Sequence, residues 1–97
     1  PQGRPRPIAM VPMGEEAGTK ALALTQELRK AGYSIELGYS GNMKKRMKRA
    51  NNVNAIATVI LGEDELAKGV ATVRNMETGD QLEVPLASLE DHLASYR

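Results

Sequence analysis

Ala55-Ile56-Ala57-Thr58-Val59-Ile60-Leu61 is an almost unbroken apolar run that ends at Gly62. A strand with one solvent-exposed face alternates between apolar and polar residues, and this run does not alternate. It therefore predicts a strand that is buried on both faces, at the centre of a sheet covered by helices. The 97 residues of the chain are enough for one domain with its own core.

The residues before this run have the patterns of alternating strands and helices. Strands are predicted at residues 8–12 and 33–37, where short apolar stretches lie next to Pro or Gly. A helix is predicted from Glu15 to the residues before Gly32, because apolar side chains recur there at helical spacing. A second helix is predicted at residues 43–51, with Met43, Met47 and Ala50 on its buried face.

The residues after the run predict a short helical turn, a hairpin and a last helix. The turn covers residues 63–67, and the hairpin strands cover 70–74 and 81–84 around a loop that contains Gly79. The last helix follows Pro85, and Ser88 with Asp91 has the spacing of a capping box.

The order of these elements predicts the fold class. Strands that alternate with helices pair in parallel, and a late hairpin adds antiparallel strands at one edge. We expect an α/β, three-layer domain: a mixed five-stranded sheet, in the order β-α-β-α-β-β-β-α, flanked by three helices. The domain is expected at residues 8–97, after a Pro/Arg-rich linker at residues 1–7.

Positive charge is concentrated in the run Lys44-Lys45-Arg46-Met47-Lys48-Arg49. Residues 1–49 contain ten basic and four acidic side chains, a net of +6, whereas residues 50–97 have a net of −5. With the predicted helix anchored through its apolar side chains, Lys44, Lys45, Lys48 and Arg49 point away from the core. This pattern indicates either a phosphate-binding surface or a solvated helix face.

Most catalytic constellations are absent from the sequence. The chain has no Cys and one His, so a His/Cys metal cluster is excluded, and His92 is expected at the surface or boundary of the last helix. No apolar run approaches the roughly 20 residues of a membrane span. Three acids, Glu63, Asp64 and Glu65, follow the central strand. They are compatible with a Mg²⁺ site, with hydrogen-bond acceptors for base edges, or with a helix N-terminus.

Several segments together resemble a known family. They are 8–14, the helix 21–32, the basic segment 41–51, Val59-Ile60-Leu61-Gly62-Glu63-Asp64-Glu65-Leu66, and 69–74. Over roughly residues 7–95, the chain resembles the C-terminal anticodon-binding domain of class II aminoacyl-tRNA synthetases, with the bacterial histidyl-tRNA synthetases as the most similar members. The resemblance implies a mixed five-stranded sheet and a domain that grips the anticodon stem-loop of a tRNA.

The resemblance also implies roles for particular residues. In threonyl members of the family, a Glu in this loop and an Arg nine residues later contact anticodon bases, and Glu65 and Arg74 keep that spacing. The alternative for this pair is a surface salt bridge. The basic side chains would attract phosphates. Tyr39 would be either a stacking platform for a base or a packed tyrosine.

The resemblance implies a histidine–tRNA ligase as the parent protein, in which this domain has no catalytic residue, metal or cofactor of its own. ATP and Mg²⁺ are expected in a separate catalytic core, absent from this chain. The expected partners are tRNA, specifically tRNA-His, and that core, in a homodimeric cytoplasmic parent that does not span a membrane. The alternative is a regulatory or assembly module that derives from a synthetase-like chain and charges no tRNA.

Overall fold

The computed structural model describes residues 6–37, 45, 48, 50 and 54–96. Five strands form one sheet: β1 (Ile8–Pro12), β2 (Ile35–Leu37), β3 (Ala57–Leu61), β4 (Val70–Asn75) and β5 (Gln81–Pro85). Three α-helices have both ends within the described residues: α1 (Glu15–Lys30), α2 (Glu63–Lys68) and α3 (Leu89–Leu93). Lys45, Lys48 and Ala50 are also helical.

The sheet has the strand order β2-β1-β3-β4-β5. β1 pairs in parallel with β2 and β3, while β4 pairs antiparallel with β3 and β5. The mixed five-stranded α/β sheet that the sequence predicts is therefore confirmed. The apolar run lies in the third of the five positions, and four of the five residues of β3 are buried.

Helix α1 ends as its sequence predicts, because Gly32 provides a conformation that other residues rarely adopt. Its φ of 100° lies in the left-handed region. The Gly32 N–H donates to the Arg29 carbonyl, and the Tyr33 N–H donates to the Leu28 carbonyl. These two bonds form a Schellman motif, which satisfies carbonyls that the helix leaves unpaired.

The sheet separates two apolar clusters of different size. One face carries the main core, where Met10, Val59 and Val73 pack with residues of α1 and α3. On the other face, a small cluster contains Ala9, Ala50 and Ala55, with Met76 packed against it. Since Ala50 belongs to the helical segment that follows β2, the sheet has helical layers on both sides.

The ends of three predicted elements differ from the prediction. Strand β2 begins at Ile35, because Tyr33 closes the end of α1, and β3 begins at Ala57. The predicted capping box of Ser88 and Asp91 is wrong: a 3₁₀ turn at Leu86–Ser88 precedes α3, and Ser88 makes no side-chain cap bond. Ser88 has a ψ of 5°, whereas an N-cap side chain reaches its helix from the extended region.

Among the residues that the structure describes, no helix combines the length and the apolar character that crossing a bilayer requires. His92 lies at the boundary of the core, half-buried, with its ring 6.1 Å from that of Tyr96 in an edge-on arrangement.

Candidate nucleic-acid interface

A polar row crosses the sheet on the face opposite the main core. The strand register aligns Glu36, Ala9, Thr58, Arg74 and Gln81, one from each of the five strands. Residues that are aligned in this way point to the same side of the sheet. The row changes from small and buried at Ala9 and Thr58 to half-buried and exposed at Arg74 and Gln81. The β4–β5 end of this face therefore presents polar side chains to solvent.

Arg74 lies in this row with its guanidinium lying along the surface. Its Nη1 donates to Oε1 of Gln81 at 3.5 Å, a long and weak hydrogen bond. Gly79, in the hairpin loop, lies beside the guanidinium, and a Cβ there would be in ordinary van der Waals contact with Nη2 at 3.7 Å. An arginine has five N–H donors in a planar fork. Within the described residues Arg74 uses one of them, so the other four N–H donors have no partner there.

Glu65 lies in the first turn of α2, and both of its carboxylate oxygens contact the protein. Oε1 accepts a hydrogen bond from the Gly62 N–H at 2.9 Å, and Oε2 accepts one from the Thr72 hydroxyl at 3.4 Å. The first bond is half of a capping box, in which a side chain three residues into the helix satisfies the N–H of the cap residue. Gly62 has no side chain to return the bond. The sequence leaves three roles open for the acids: a Mg²⁺ site, acceptors for base edges, or a helix N-terminus. This contact shows that Glu65 has the third role, at the N-terminus of α2.

Glu65 and Arg74 nevertheless reach the same face. Thr72, which contacts the Glu65 carboxylate, lies two residues from Arg74 on β4, and successive side chains of a strand alternate in direction. The two groups form no ion pair with each other. The ion pairs within the described residues are Arg6–Glu77 and Lys68–Glu83. The surface salt bridge that the sequence offers as the alternative for Glu65 and Arg74 is therefore wrong.

Of the basic segment, the described Ala50 lies on the same face, closer to β1. Ala50 is buried against Ala9, and β1 and β4 are separated by β3 alone, so roughly 10 Å of sheet lies between Ala9 and Arg74. Lys45 and Lys48 are helical and exposed. Five residues named in the prediction lie outside the described residues. They are the phosphate ligands Lys44 and Arg49, the stacking candidate Tyr39, and the anchors Met43 and Met47.

The end of this helical segment has its own closing motif. Asn54 has a φ of 59°, in the left-handed region, and the Ala55 N–H donates to the Ala50 carbonyl at 2.9 Å. This six-to-one bond is the one that ends a helix in a Schellman motif, with Asn in the place that Gly most often takes. The chain then enters β3, which begins at Ala57.

Sequence reasoning did not identify three residues that shape this surface: Thr72, Gln81 and Arg6. Gln81 is the antiparallel partner of Arg74, so the hairpin pattern contained the signal for it. The contact of Thr72 with Glu65 and those of Arg6 depend on the tertiary structure. Arg6 donates to the carbonyl oxygens of Asn54 and Ala55 and to the carboxylate of Glu77.

The arrangement is suited to an extended polyanion rather than to a small molecule. A guanidinium fork can clamp a base edge or a phosphate, and a carboxylate accepts hydrogen bonds from base amino and imino groups. The exposed Lys45 and Lys48 supply positive charge without a fixed geometry. Bases that are not paired in a helix can be read in this way, because their edges are accessible.

Comparison with known proteins supports this description. A family model described as an anticodon binding domain matches residues 8–96. A histidine–tRNA ligase from Rhodospirillum rubrum is 48% identical over 94 residues, which are 97% of this chain and 23% of the relative. The crystal structure of apo histidyl-tRNA synthetase from S. aureus superposes with a TM-score of 0.83 at 30% identity, over 89% of this chain and 22% of that one.

A third similarity concerns the fold alone. The RNA binding domain of threonyl-tRNA synthetase from Cryptosporidium parvum has a TM-score of 0.83 at 21% identity, over 95% of this chain and 24% of that one. The chain thus spans under a quarter of the length of these relatives. The family match covers every described strand and helix of the sheet fold, and the chain therefore belongs to the anticodon-binding domain family.

Proposed function

We propose that this chain is the anticodon-recognition domain of a histidine–tRNA ligase and that it binds the anticodon stem-loop of tRNA-His. The observation that carries the proposal is the exposed polar end of the sheet. There, the fork of Arg74 and the carboxylate of Glu65 share a face with the exposed Lys45 and Lys48. The sequence similarity to histidine–tRNA ligases supports the choice of tRNA.

The proposal divides the work between two groups of side chains. Lysines attract the phosphate backbone, which contributes affinity and orientation but little sequence information. Arg74 and Glu65 face the bases and discriminate between them through hydrogen bonds. In this proposal the first group consists of Lys44, Lys45, Lys48 and Arg49. Tyr39 would stack on a base.

The parent protein would contain the catalytic core that joins histidine to tRNA-His, and that core would hold ATP and Mg²⁺. We propose that the parent acts in the cytoplasm as a homodimer. The short coverage of the relatives supports a separate core, since more than three quarters of their length lies outside the region matched by this chain.

The test is the affinity of the full-length protein for two RNA hairpins of equal length, one with the tRNA-His anticodon loop and one with an unrelated loop. We expect at least about tenfold tighter binding of the first, and a loss of about tenfold or more for Arg74→Ala. Arg74→Lys keeps the charge but not the fork, so it should lose most of the discrimination as well.

Arg29→Ala is the matched control. Arg29 also donates a side-chain hydrogen bond, to the Ile35 carbonyl at 2.7 Å, but it joins α1 to the strand at the opposite edge of the sheet. This variant should bind the tRNA-His hairpin as the unmodified protein does. Equal affinity for both hairpins would contradict specific recognition and favour the regulatory or assembly module.

A further inference from the structure

Arg6 joins three segments that lie far apart in the sequence. Its Nε donates to the Asn54 carbonyl at 2.9 Å, and its Nη2 donates to the Ala55 carbonyl at 3.1 Å. Its Nη1 lies 2.7 Å from Oε1 of Glu77 in the β4–β5 hairpin. One guanidinium thus connects the entry to β1, the end of the basic helical segment and the turn after β4.

The end of the helical segment has few other contacts in the described part of the structure. The apolar cluster beneath it consists of Ala9, Ala50 and Ala55 with the partly buried Met76. Alanines bury little apolar surface, at about 0.8 kcal/mol for each buried carbon. Asn54 is also in the left-handed region, which disfavours residues with a Cβ. Among the described residues, the polar contacts of Arg6 therefore supplement a small apolar cluster.

The electrostatics of this contact favour a fixed geometry. Arg6 donates to the carbonyls of the two residues that follow the helical segment, and a hydrogen bond from a charged guanidinium is stronger than one between neutral groups. The Arg6 side chain is 29% exposed whereas that of Glu77 is 62% exposed, so the ion pair alone is screened and weak. The two carbonyl bonds set the position of the guanidinium, and the carboxylate is then drawn to it.

We propose that Arg6 is a positioning residue for RNA recognition. By holding the helix end at Asn54 and Ala55 against the hairpin turn at Glu77, it fixes the distance between the exposed lysines and Arg74. Both groups can then meet one anticodon loop at the same time. This inference rests on the proposed function, because the two groups need a fixed spacing only if they bind the same RNA.

The competing explanation is that Arg6 contacts a phosphate directly. Glu77→Gln separates the two, since it keeps the cation and replaces the charge-assisted bond to the carboxylate with a weaker bond to an amide oxygen. If Arg6 positions the two elements, binding of the tRNA-His hairpin by the full-length protein weakens by about threefold or more, as expected for a positional coupling. If Arg6 binds phosphate, Glu77→Gln leaves the affinity equal or higher, because it removes a negative charge near the RNA.

Asp80→Asn is the matched control for Glu77→Gln. It removes the same charge from the same hairpin, and Asp80 makes no contact with Arg6 in the described residues. Asp80→Asn should therefore bind the hairpin as tightly as the unmodified protein, or slightly more tightly.

Two further measurements use Arg6→Ala in the full-length protein, compared with Arg29→Ala. The slope of log affinity against log salt should stay unchanged for Arg6→Ala if the residue positions other groups, and should fall by about one if it contacts a phosphate. Without RNA, amide hydrogen exchange should accelerate at Ala55, whose N–H donates to the Ala50 carbonyl, and at Met76, whose N–H donates to the Ile56 carbonyl. It should not accelerate there for Arg29→Ala.

The outcomes distinguish the two proposals. Equal binding of both hairpins by the unmodified protein overturns the proposed function. Unchanged exchange at Ala55 and Met76, or unchanged affinity in Glu77→Gln, overturns the positioning role of Arg6. If Arg6→Ala fails to fold, Glu77→Gln still decides, because it keeps both carbonyl bonds of the arginine.

Discussion

Substitution of Glu65 should separate the stability of the domain from its recognition of RNA. The carboxylate accepts the N–H of Gly62, a buried residue at the start of α2, at 2.9 Å. Glu65→Ala leaves this N–H without its partner. Loss of a helix cap costs about 1 kcal/mol, within a range of roughly 0.5–2 kcal/mol. The contact with Thr72 is long, at 3.4 Å, and adds little.

The expected loss of about 1 kcal/mol is large enough to measure. For a domain of this size it lowers the midpoint of thermal unfolding by about 4–8 °C. Glu65→Gln retains an oxygen in the same place, so the cap bond persists and the loss is that of one negative charge near the helix N-terminus, about 0.3–1 kcal/mol. Asp64→Asn removes such a charge from the same turn, where no described side-chain hydrogen bond involves Asp64.

Thermal and urea unfolding of the 97-residue chain should therefore rank the variants. Glu65→Gln should match Asp64→Asn, and Glu65→Ala should be less stable than both. In the full-length protein, Glu65→Gln should still lose discrimination between the two hairpins, because an amide presents donors where the carboxylate presents only acceptors. If Glu65→Gln unfolds as easily as Glu65→Ala while Asp64→Asn is unaffected, the capping role is refuted.

Three other predictions concern stability and ionisation. Thr25 is fully buried, and its hydroxyl has no hydrogen-bond partner among the described residues, so Thr25→Val should raise the free energy of unfolding by about 1 kcal/mol; a decrease would show that the hydroxyl is bonded. Asn54→Gly should be close to neutral, whereas Asn54→Ala should lose about 1 kcal/mol, since Ala disfavours a φ of 59°; equal urea midpoints for the two would contradict this account. The hydrogen bond with Glu83 raises the pKa of Lys68 above 10.5, so this pair stabilises the fold below that pH and is lost as the pH rises through the folded-state pKa. An NMR titration of the Lys68 side chain in Glu83→Gln should show a lower pKa than in the unmodified chain, and an unchanged value would exclude the interaction.

Elements with a strong local pattern were predictable from the sequence. Strand β1, helix α1 and the central strand follow from apolar spacing and from Gly at the ends, which depend on neighbouring residues alone. The end of α1 at Gly32 is confirmed down to its two closing hydrogen bonds. Prediction was wrong at Ser88, where Pro85 begins a 3₁₀ turn that changes the backbone before the helix starts.

The candidate site was predictable only in part. The family resemblance implied a role for Glu65 and Arg74, which stays a prediction, and the contact of Glu65 with Thr72 shows that the two residues reach one face. The amino-acid sequence did not indicate that the Glu65 carboxylate forms the cap hydrogen bond with the Gly62 N–H at the start of α2. Gly62 at the cap position and Glu65 three residues later have the spacing of a capping box, but glycine lacks the side chain by which that motif is usually identified.

The sequence by itself determined the order of strands and helices, the central position of residues 57–61 and the family of the domain. These depend on local periodicity and on residue types. Only the tertiary structure decided which polar groups share the face of the sheet opposite the main core, and which of them already form hydrogen bonds within the domain. Arg6 contacts residues that are 48, 49 and 71 positions away, and no local pattern encodes such contacts. They arise because the sheet brings the start of β1, the start of β3 and the end of β4 side by side.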